Sequence, residues 1–147
     1  MQLTRAADYG VRVMIQLANG MPGTRSSLTS LAGAAEVSPA FLSKVLQRLV
    51  RAGLVASRRG KRGGFELLDR GRQASLMDIL AALDGVPALN ACLLEGGCHR
   101  SNWCAAHGVW VEAQDKMREV LVAATLQRLA RDSRDQQLLL LRKPIES

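Results

Sequence analysis

The chain has 147 residues, which is the size of one domain with at most a small appendage, and its hydrophobic content of 48% is sufficient for a core. Aromatic residues make up only 3%, so we expect an aliphatic and mainly helical core. No window approaches the roughly 18 consecutive apolar residues of a membrane span. Charged residues interrupt the first apolar stretch, which argues against a secretory signal. We therefore expect a cytoplasmic protein without membrane contact.

The formal net charge of +7 comes from the first half of the chain. Residues 1–72 contain 12 Lys and Arg against 4 Asp and Glu, whereas residues 73–147 contain 8 against 9. This asymmetry predicts a polyanion as the partner of the first half. A basic surface that serves only solubility is the simpler alternative.

Three helices are predicted in this basic half. Apolar spacing and capping residues place them at residues 4–19, 28–35 and 39–52. The third begins with Ser38 as N-cap and Pro39 at its first position. The second and third helices, joined by a tight turn, match a helix-turn-helix arrangement in which the third helix enters the major groove. Its outer face carries Ser38, Ala40, Ser43, Lys44, Gln47, Arg48 and Arg51. From this helix alone, an ordinary solvated face remains an equal alternative.

A glycine-rich basic segment follows the third helix. Residues 54–57 and 65–68 are strand-like, and the segment between them is RRGKRGG. The glycines permit a tight hairpin tip. Its four cations are Arg58, Arg59, Lys61 and Arg62. A basic hairpin after a recognition-type helix is typical of the wing of a winged helix-turn-helix, suited to a phosphate backbone or a minor groove. We therefore predict that this half binds double-stranded DNA.

All three cysteines lie in residues 91–107. Cys92, Cys98 and Cys104 have an even C-x5-C-x5-C spacing, and His107 follows closely. Three soft thiols and an imidazole indicate a metal or iron–sulfur ligand set. An odd number of clustered cysteines argues against a disulfide framework.

Two other interpretations of the cysteines remain open. Structural zinc suits three cysteines and one histidine, although zinc ligands are usually separated by two to four residues. A cluster-free sensor, in which a thiol is oxidised directly, is the second. Catalysis by Cys104 and His107 would need an orienting third group that the sequence does not show, so we expect no enzyme activity.

The second half is organised around a long helix. A helix at residues 76–83 leads into the cysteine segment, and an apolar face at residues 109–124 follows it for about four turns. A second copy of the chain is the simplest cover for that face, and burial within one subunit is the alternative. A homodimer would place two recognition helices on one side of DNA and predicts a palindromic operator.

The predicted fold class is mainly α with a small β-hairpin wing: a winged helix-turn-helix followed by a long C-terminal dimerisation helix. We divide the chain into a DNA-binding domain (1–72), a helix, cysteine segment and dimerisation helix (73–132), and a mobile tail (133–147). A short helix is expected at residues 125–130. The leucine run at 138–141 has no assigned role.

Over residues 1–129 the chain resembles the Rrf family of winged-helix iron–sulfur transcription regulators. The resemblance rests on MQLTRAADYGVRVMIQLA, VSPAFLSKVLQRLVRAGLV, RRGKRGGFEL and the three cysteines. It implies an iron–sulfur cluster held by Cys92, Cys98 and Cys104, a dimer built on the long helix, and cluster-controlled DNA binding. It also implies that Arg59 enters the minor groove. The residues that it places near the major groove are Ser38, Ala40, Phe41, Ser43 and Lys44.

The fourth cluster ligand has two candidates in this family. One type uses a histidine three residues after the third cysteine, here His107, and holds a 2Fe–2S cluster. The other uses an aspartate near the N-terminus of the partner subunit, here Asp8, and holds a 4Fe–4S cluster. The closeness of His107 to the thiols favours it, since Asp8 can instead pair with Arg5 or Arg12.

Two other residues of the cysteine segment receive plainer assignments. We expect His99 to be a solvated loop residue. We expect Trp103 to pack the segment onto the domain.

Overall fold

The computed structural model describes the backbone of residues 2–142 and the side chains of residues 2–138. The predicted fold class is confirmed: a mainly helical chain with one two-stranded antiparallel hairpin. The elements are α1 (Arg5–Asn19), α2 (Leu28–Ala34), α3 (Pro39–Arg51), β1 (Val55–Arg58), β2 (Gly64–Leu67), α4 (Asp69–Gln73), α5 (Leu76–Asp84), a 3-10 turn (Ala91–Leu93), α6 (His107–Ala123) and α7 (Leu126–Arg142).

The core lies where α1, α3 and α5 meet. It is built from fully buried aliphatic side chains, each worth about 1.5–3 kcal/mol on burial; among them are Val13, Met14, Leu42, Leu46, Leu49 and Ile79. Gly10 allows α1 to approach α5 closely, because a Cβ at this position would overlap the Leu83 side chain. The predicted aliphatic core is therefore observed, and it holds α3 rigidly against two other helices.

The hairpin that forms the wing pairs Val55 with Leu67 at its base and Arg58 with Gly64 at its tip. Leu54, Val55 and Leu67 are buried and anchor the base to the core. The four predicted cations therefore project at the end of a short hairpin whose other end is fixed.

Helix α5 begins with a reciprocal capping box between Ser75 and Asp78. Hydrogen bonds donated by the Ser75 hydroxyl and backbone N–H lower the pKa of the Asp78 carboxyl. The same segment is joined to the α6–α7 junction, since Leu76 N–H donates to Ala124 O at 2.8 Å and Leu126 N–H donates to Ala74 O at 2.8 Å. The start of α5 therefore also fixes the end of α6.

Two features differ from the sequence prediction. Helix α4 has only five residues, DRGRQ, without an apolar period that would reveal it. The short helix expected at residues 125–130 continues to Arg142, so the part of the expected mobile tail up to that residue is helical. Leu126 and Ala130 are buried beside α1, and Arg134 donates to the Asn19 side chain at 2.8 Å, which explains the extension. Residues 143–147 lie outside the described residues.

Candidate functional site

The N-terminal part of α3 is formed as the sequence predicts. The Ser38 hydroxyl accepts a hydrogen bond from Phe41 N–H at 3.3 Å, and Pro39 occupies the first turn. Ser38, Ala40, Lys44 and Gln47 are exposed, whereas Ser43 is half-buried. The inward side holds Leu42, Val45, Leu46 and Leu49. This helix therefore presents short polar groups and one lysine on its outer surface.

Phe41 is half-buried in a small aromatic cluster. Its ring lies edge-on to Tyr9, with centroids 5.7 Å apart, and the Arg5 guanidinium lies 5.6 Å from its centroid. Edge-to-face pairs and cation–π contacts of this kind favour one ring orientation. Phe41 thus joins the start of α1 to the start of α3.

Arg48 is directed toward α5 and differs in this respect from the other predicted DNA contacts on α3. Its Nη1 donates to Leu83 O at 2.9 Å and lies 3.9 Å from Asp84 Oδ1. The side chain is about half exposed, but its head group already donates to one carbonyl of the last turn of α5. Its observed role is to join α3 to the helix that leads into the cysteine segment.

The wing tip carries an exposed cluster of charge. Arg58, Arg59, Lys61 and Arg62 are all exposed, and within residues 2–138 none of them forms an ion pair. A groove of about 380 Å³ separates the wing from α3. Its lining includes Ser43, Gln47, Arg51, Ser57 and Phe65. The helix and the wing therefore flank one concave basic surface, the arrangement that a winged helix uses on DNA.

The three cysteines and His107 line a single cavity of about 410 Å³. All three thiols are free, with Cys92 and Cys98 half-buried and Cys104 exposed. Arg100 N–H donates to Cys98 Sγ at 3.4 Å. Residues that are 15 apart in sequence, from Cys92 to His107, therefore come together.

His107 provides the test of whether this cavity fits an iron–sulfur cluster. Its Nδ1 is buried without a hydrogen-bond partner, and such an atom costs free energy unless something binds it. An imidazole nitrogen together with three thiols is a donor set suited to iron. Within the described residues, however, no three Cys, His, Asp or Glu side chains form a group that could hold a metal ion as they stand. The donors fit by chemistry, and ligation would require them to move closer together.

Asp8, the alternative ligand, does not line this cavity of its own subunit. It is exposed on α1 and its carboxylate lies 3.0 Å from the Arg12 guanidinium, the pairing that the sequence suggested. An exposed pair of this kind contributes little stability. Asp8 could approach a cluster only from a second copy of the chain.

His99 and Trp103, the other two residues of the cysteine segment with predicted roles, differ in outcome. His99 is exposed, and its Nε2 accepts a hydrogen bond from Arg100 Nε at 3.3 Å. The expectation for Trp103 is wrong: it is 71% exposed and is contacted by Arg100 instead of the domain. Trp110, on the first turns of α6, lines the cysteine cavity in its place.

Two residues with clear structural roles escaped the sequence analysis. The Gln114 side chain accepts from Leu89 N–H at 2.9 Å and donates to Pro87 O at 2.8 Å, so it ties α6 to the chain entering the cysteine segment. Arg25 contacts the wing from before α2. A weak signal for Arg25 existed, because Glu66 is the only acidic residue between residues 37 and 68 and would need a cation.

Among residues 2–142, no helix is both long and apolar enough to cross a membrane. A helix-turn-helix with a basic hairpin wing instead defines the class of protein: a DNA-binding transcription regulator. The family model described as "Rrf2: Iron-dependent Transcriptional regulator" matches residues 3–132. The chain belongs to the Rrf2 family, so the resemblance found in the sequence is confirmed.

Similar proteins agree with this assignment. A putative HTH-type transcriptional regulator of Mycobacterium tuberculosis is 36% identical over 127 residues, which cover 86% of this chain and 79% of that protein. The HTH-type transcriptional regulator IscR of Cronobacter sakazakii is 29% identical over 86% of this chain and 78% of its own length. These relatives are named as regulators, in agreement with the prediction that the chain is not an enzyme.

Solved structures share the fold. The IscR of T. potens superposes with a TM-score of 0.74 at 27% identity, covering 93% of this chain and 91% of that one. CymR of B. subtilis, described as a global cysteine regulator, gives 0.71 at 30% identity over 88% and 96%. An oxidised form of Staphylococcus aureus CymR gives 0.67 at 29% identity over 88% and 96%.

Proposed function

We propose that this regulator binds its operator as a homodimer and that an iron–sulfur cluster held by Cys92, Cys98, Cys104 and His107 controls the affinity. The observation that carries the proposal is that His107, whose Nδ1 is buried without a hydrogen-bond partner, lines the same cavity as the three cysteines. The similarity to IscR proteins supports it. A 2Fe–2S cluster is favoured with His107 as the fourth ligand, and a 4Fe–4S cluster is the alternative with Asp8 of the partner subunit.

A bound cluster would supply a group that oxidants, nitric oxide or iron shortage can modify or remove. The chain's own residues would transmit that change. Gln114 ties α6 to the segment that enters the cavity, and Arg48 ties α3 to the end of α5. The signal can shift DNA affinity only as far as these contacts differ between the cluster-bound and cluster-free states.

The DNA contacts that we propose are those on α3 and the wing. The set is Ser38, Ala40, Phe41, Ser43, Lys44, Gln47, Arg48, Arg58, Arg59, Lys61 and Arg62, with Arg48 already engaged by α5. Two such surfaces related by a dimer axis would fit a palindromic operator.

The test of the cluster proposal is a visible absorption spectrum with iron and sulfide counts on anaerobically purified protein. We expect wild-type protein to contain both elements and His107→Ala to lose the cluster or hold it less tightly. His99→Ala is the matched control, because His99 is an exposed histidine of the same segment, and it should behave as wild type.

Asp8→Ala, measured alongside, decides the fourth ligand. Cluster loss in Asp8→Ala with retention in His107→Ala would assign the ligand to the partner subunit. Protein without iron, sulfide or visible absorption that also resists reconstitution would contradict the cluster proposal altogether. One zinc ion per chain without sulfide would identify a structural zinc site instead.

A cluster-free thiol sensor is the second candidate. It is favoured by the finding that no three donors of the described residues stand ready to hold a metal, and by the likeness to Staphylococcus aureus CymR, whose structure has been solved in an oxidised form. Operator affinity that still responds to oxidant after exhaustive chelation would support this alternative.

A further inference from the structure

The base of the wing is attached to the segment before α2. Ser26 N–H donates to Phe65 O at 3.0 Å, and Phe65 N–H donates to Ser26 O at 2.9 Å. Gly64 makes this approach possible: it has a φ of +134°, and a Cβ there would lie 2.6 Å from Ser26 O. The connector therefore acts as a short third edge of the hairpin.

Arg25 extends this attachment toward the tip. Its Nη1 donates to Arg62 O at 3.1 Å, and its Nε lies 3.4 Å from Glu66 Oε2. The two side chains of the pair are only 32% and 24% exposed, so solvent screens them less than a surface pair. A planar guanidinium can donate in two directions at once, which a lysine ammonium does less well. Arg25 thus holds a strand residue and a tip residue together.

The charges distinguish Arg25 from the arginines of the tip. Within residues 2–138, Arg58, Arg59 and Arg62 have no carboxylate partner, whereas the charge of Arg25 is met by Glu66. Its two observed contacts are both made inside the chain. The guanidinium therefore serves to hold the hairpin, and the tip cations remain available to an anion.

We propose that Arg25 is the residue that positions the wing for DNA, by fixing the hairpin to the connector before α2. The inference rests on the proposed contact between the wing and DNA. Because Arg25 would act through the wing tip, its substitution should loosen the wing in the free protein and should also weaken operator affinity.

The first measurement is amide hydrogen exchange on the free protein. Arg25→Ala should speed exchange at Ser26 and Phe65 by about five- to tenfold, the size expected for losing about one net hydrogen bond. Arg25→Lys keeps the charge but not the two-directional donation, so it should fall between Arg25→Ala and wild type. Arg128→Ala, which removes an exposed arginine paired with Asp132 on α7, is the control and should leave wing exchange unchanged. Wild-type wing exchange in Arg25→Ala would overturn the inference.

The second measurement is operator affinity in a double-mutant cycle with Arg59→Ala. Arg25→Ala should weaken binding by about five- to tenfold in the wild-type background, and much less when Arg59 is already absent, because its effect passes through the tip. Equal weakening in both backgrounds would show instead that Arg25 contacts a phosphate directly, and would overturn the positioning role.

The two failures can be told apart. Wild-type operator affinity for Arg59→Ala would contradict the proposed wing contact and, with it, any role of Arg25 in DNA binding. Unchanged exchange in Arg25→Ala, with weakened binding in Arg59→Ala, would contradict the inference about Arg25 alone.

Discussion

Arg59 and Lys61 lie close together at the wing tip, yet their chemistry suits different features of DNA. Arginine is favoured in a narrow minor groove, where the negative potential is enhanced and depends on sequence. A lysine ammonium is a point charge that pairs with phosphate in any sequence. The two side chains should therefore contribute differently to specificity and to salt dependence.

The corresponding prediction compares Arg59→Ala with Lys61→Ala in a salt titration of DNA affinity. Arg59→Ala should weaken binding to the operator more than binding to unrelated DNA. Lys61→Ala should weaken both alike and reduce the slope of log affinity against log salt by about 1. Equal operator affinity for Arg59→Ala and wild type would remove the wing from the DNA interface.

The sequence was least informative about which neighbours an individual side chain contacts. Periodicity predicts that Arg48 lies on the outer face of α3, and it does, but only the tertiary structure places the end of α5 beside that face. Likewise, residue type alone gave no reason to prefer Trp110 over Trp103 as the residue at the cysteine cavity. The grouping of Cys92, Cys98, Cys104 and His107 was predictable from their spacing, whereas the unpartnered Nδ1 was not.

At the scale of elements, α6 packs less tightly on its own subunit than the core helices do. It contacts α5, but none of its 17 residues is fully buried, so polar contacts are also needed to fix its position. The two hydrogen bonds of the Gln114 side chain are therefore important for the position of α6. Its loss would leave Leu89 N–H and Pro87 O without partners, at a cost of about 1–3 kcal/mol for each group that stays buried.

We expect Gln114→Ala to loosen the chain that enters the cysteine segment. In cluster-free protein, Cys92 should then react faster with a thiol reagent, and the midpoint of thermal unfolding should fall. Gln114→Glu retains the acceptor for Leu89 N–H but not the donor to Pro87 O, so its effect should be intermediate. Gln127→Ala, at an exposed position of α7, is the control; a labelling rate for Gln114→Ala equal to that control would contradict the prediction.

Most elements were predictable because caps and apolar spacing agree locally, as at Thr4 and Ser38. Helix α4 was not, since five residues do not complete a recognisable period. The length of α7 was underestimated because its polar sequence has low apolar content, while its position beside α1 depends on two buried residues near its start, Leu126 and Ala130.

At the scale of the whole molecule, α6 leaves apolar residues facing water. Val109 is 62% exposed and Val120 is 68% exposed, eleven residues or about three helical turns apart on one side of the helix. Exposed apolar residues along one side of a helix often mark a protein–protein interface. A second copy of the chain remains the simplest cover, and it would also bring Asp8 of the partner subunit within consideration as a ligand.

Val120→Glu should therefore produce monomers and weaken operator binding, because burying an unpaired carboxylate at a dimer interface is costly. Sedimentation equilibrium measures the first effect and fluorescence anisotropy with labelled operator the second. Gln127→Glu adds the same charge at an exposed position of α7, and this variant should remain dimeric. A monomeric wild-type protein, or a fully dimeric Val120→Glu, would contradict the assignment of α6 as the dimerisation helix.

The backbone bonds between the start of α5 and the α6–α7 junction have one further consequence. They close the chain from Leu76 to Ala124 into a loop whose two ends are both fixed to the core. Lengthening such a loop costs only about 0.6 kcal/mol for each doubling. We therefore expect insertions or deletions between Leu94 and Trp103 to leave the winged helix folded. The cysteine segment could then change in length, and with it the chemistry that it senses, while the frame that carries it stays intact.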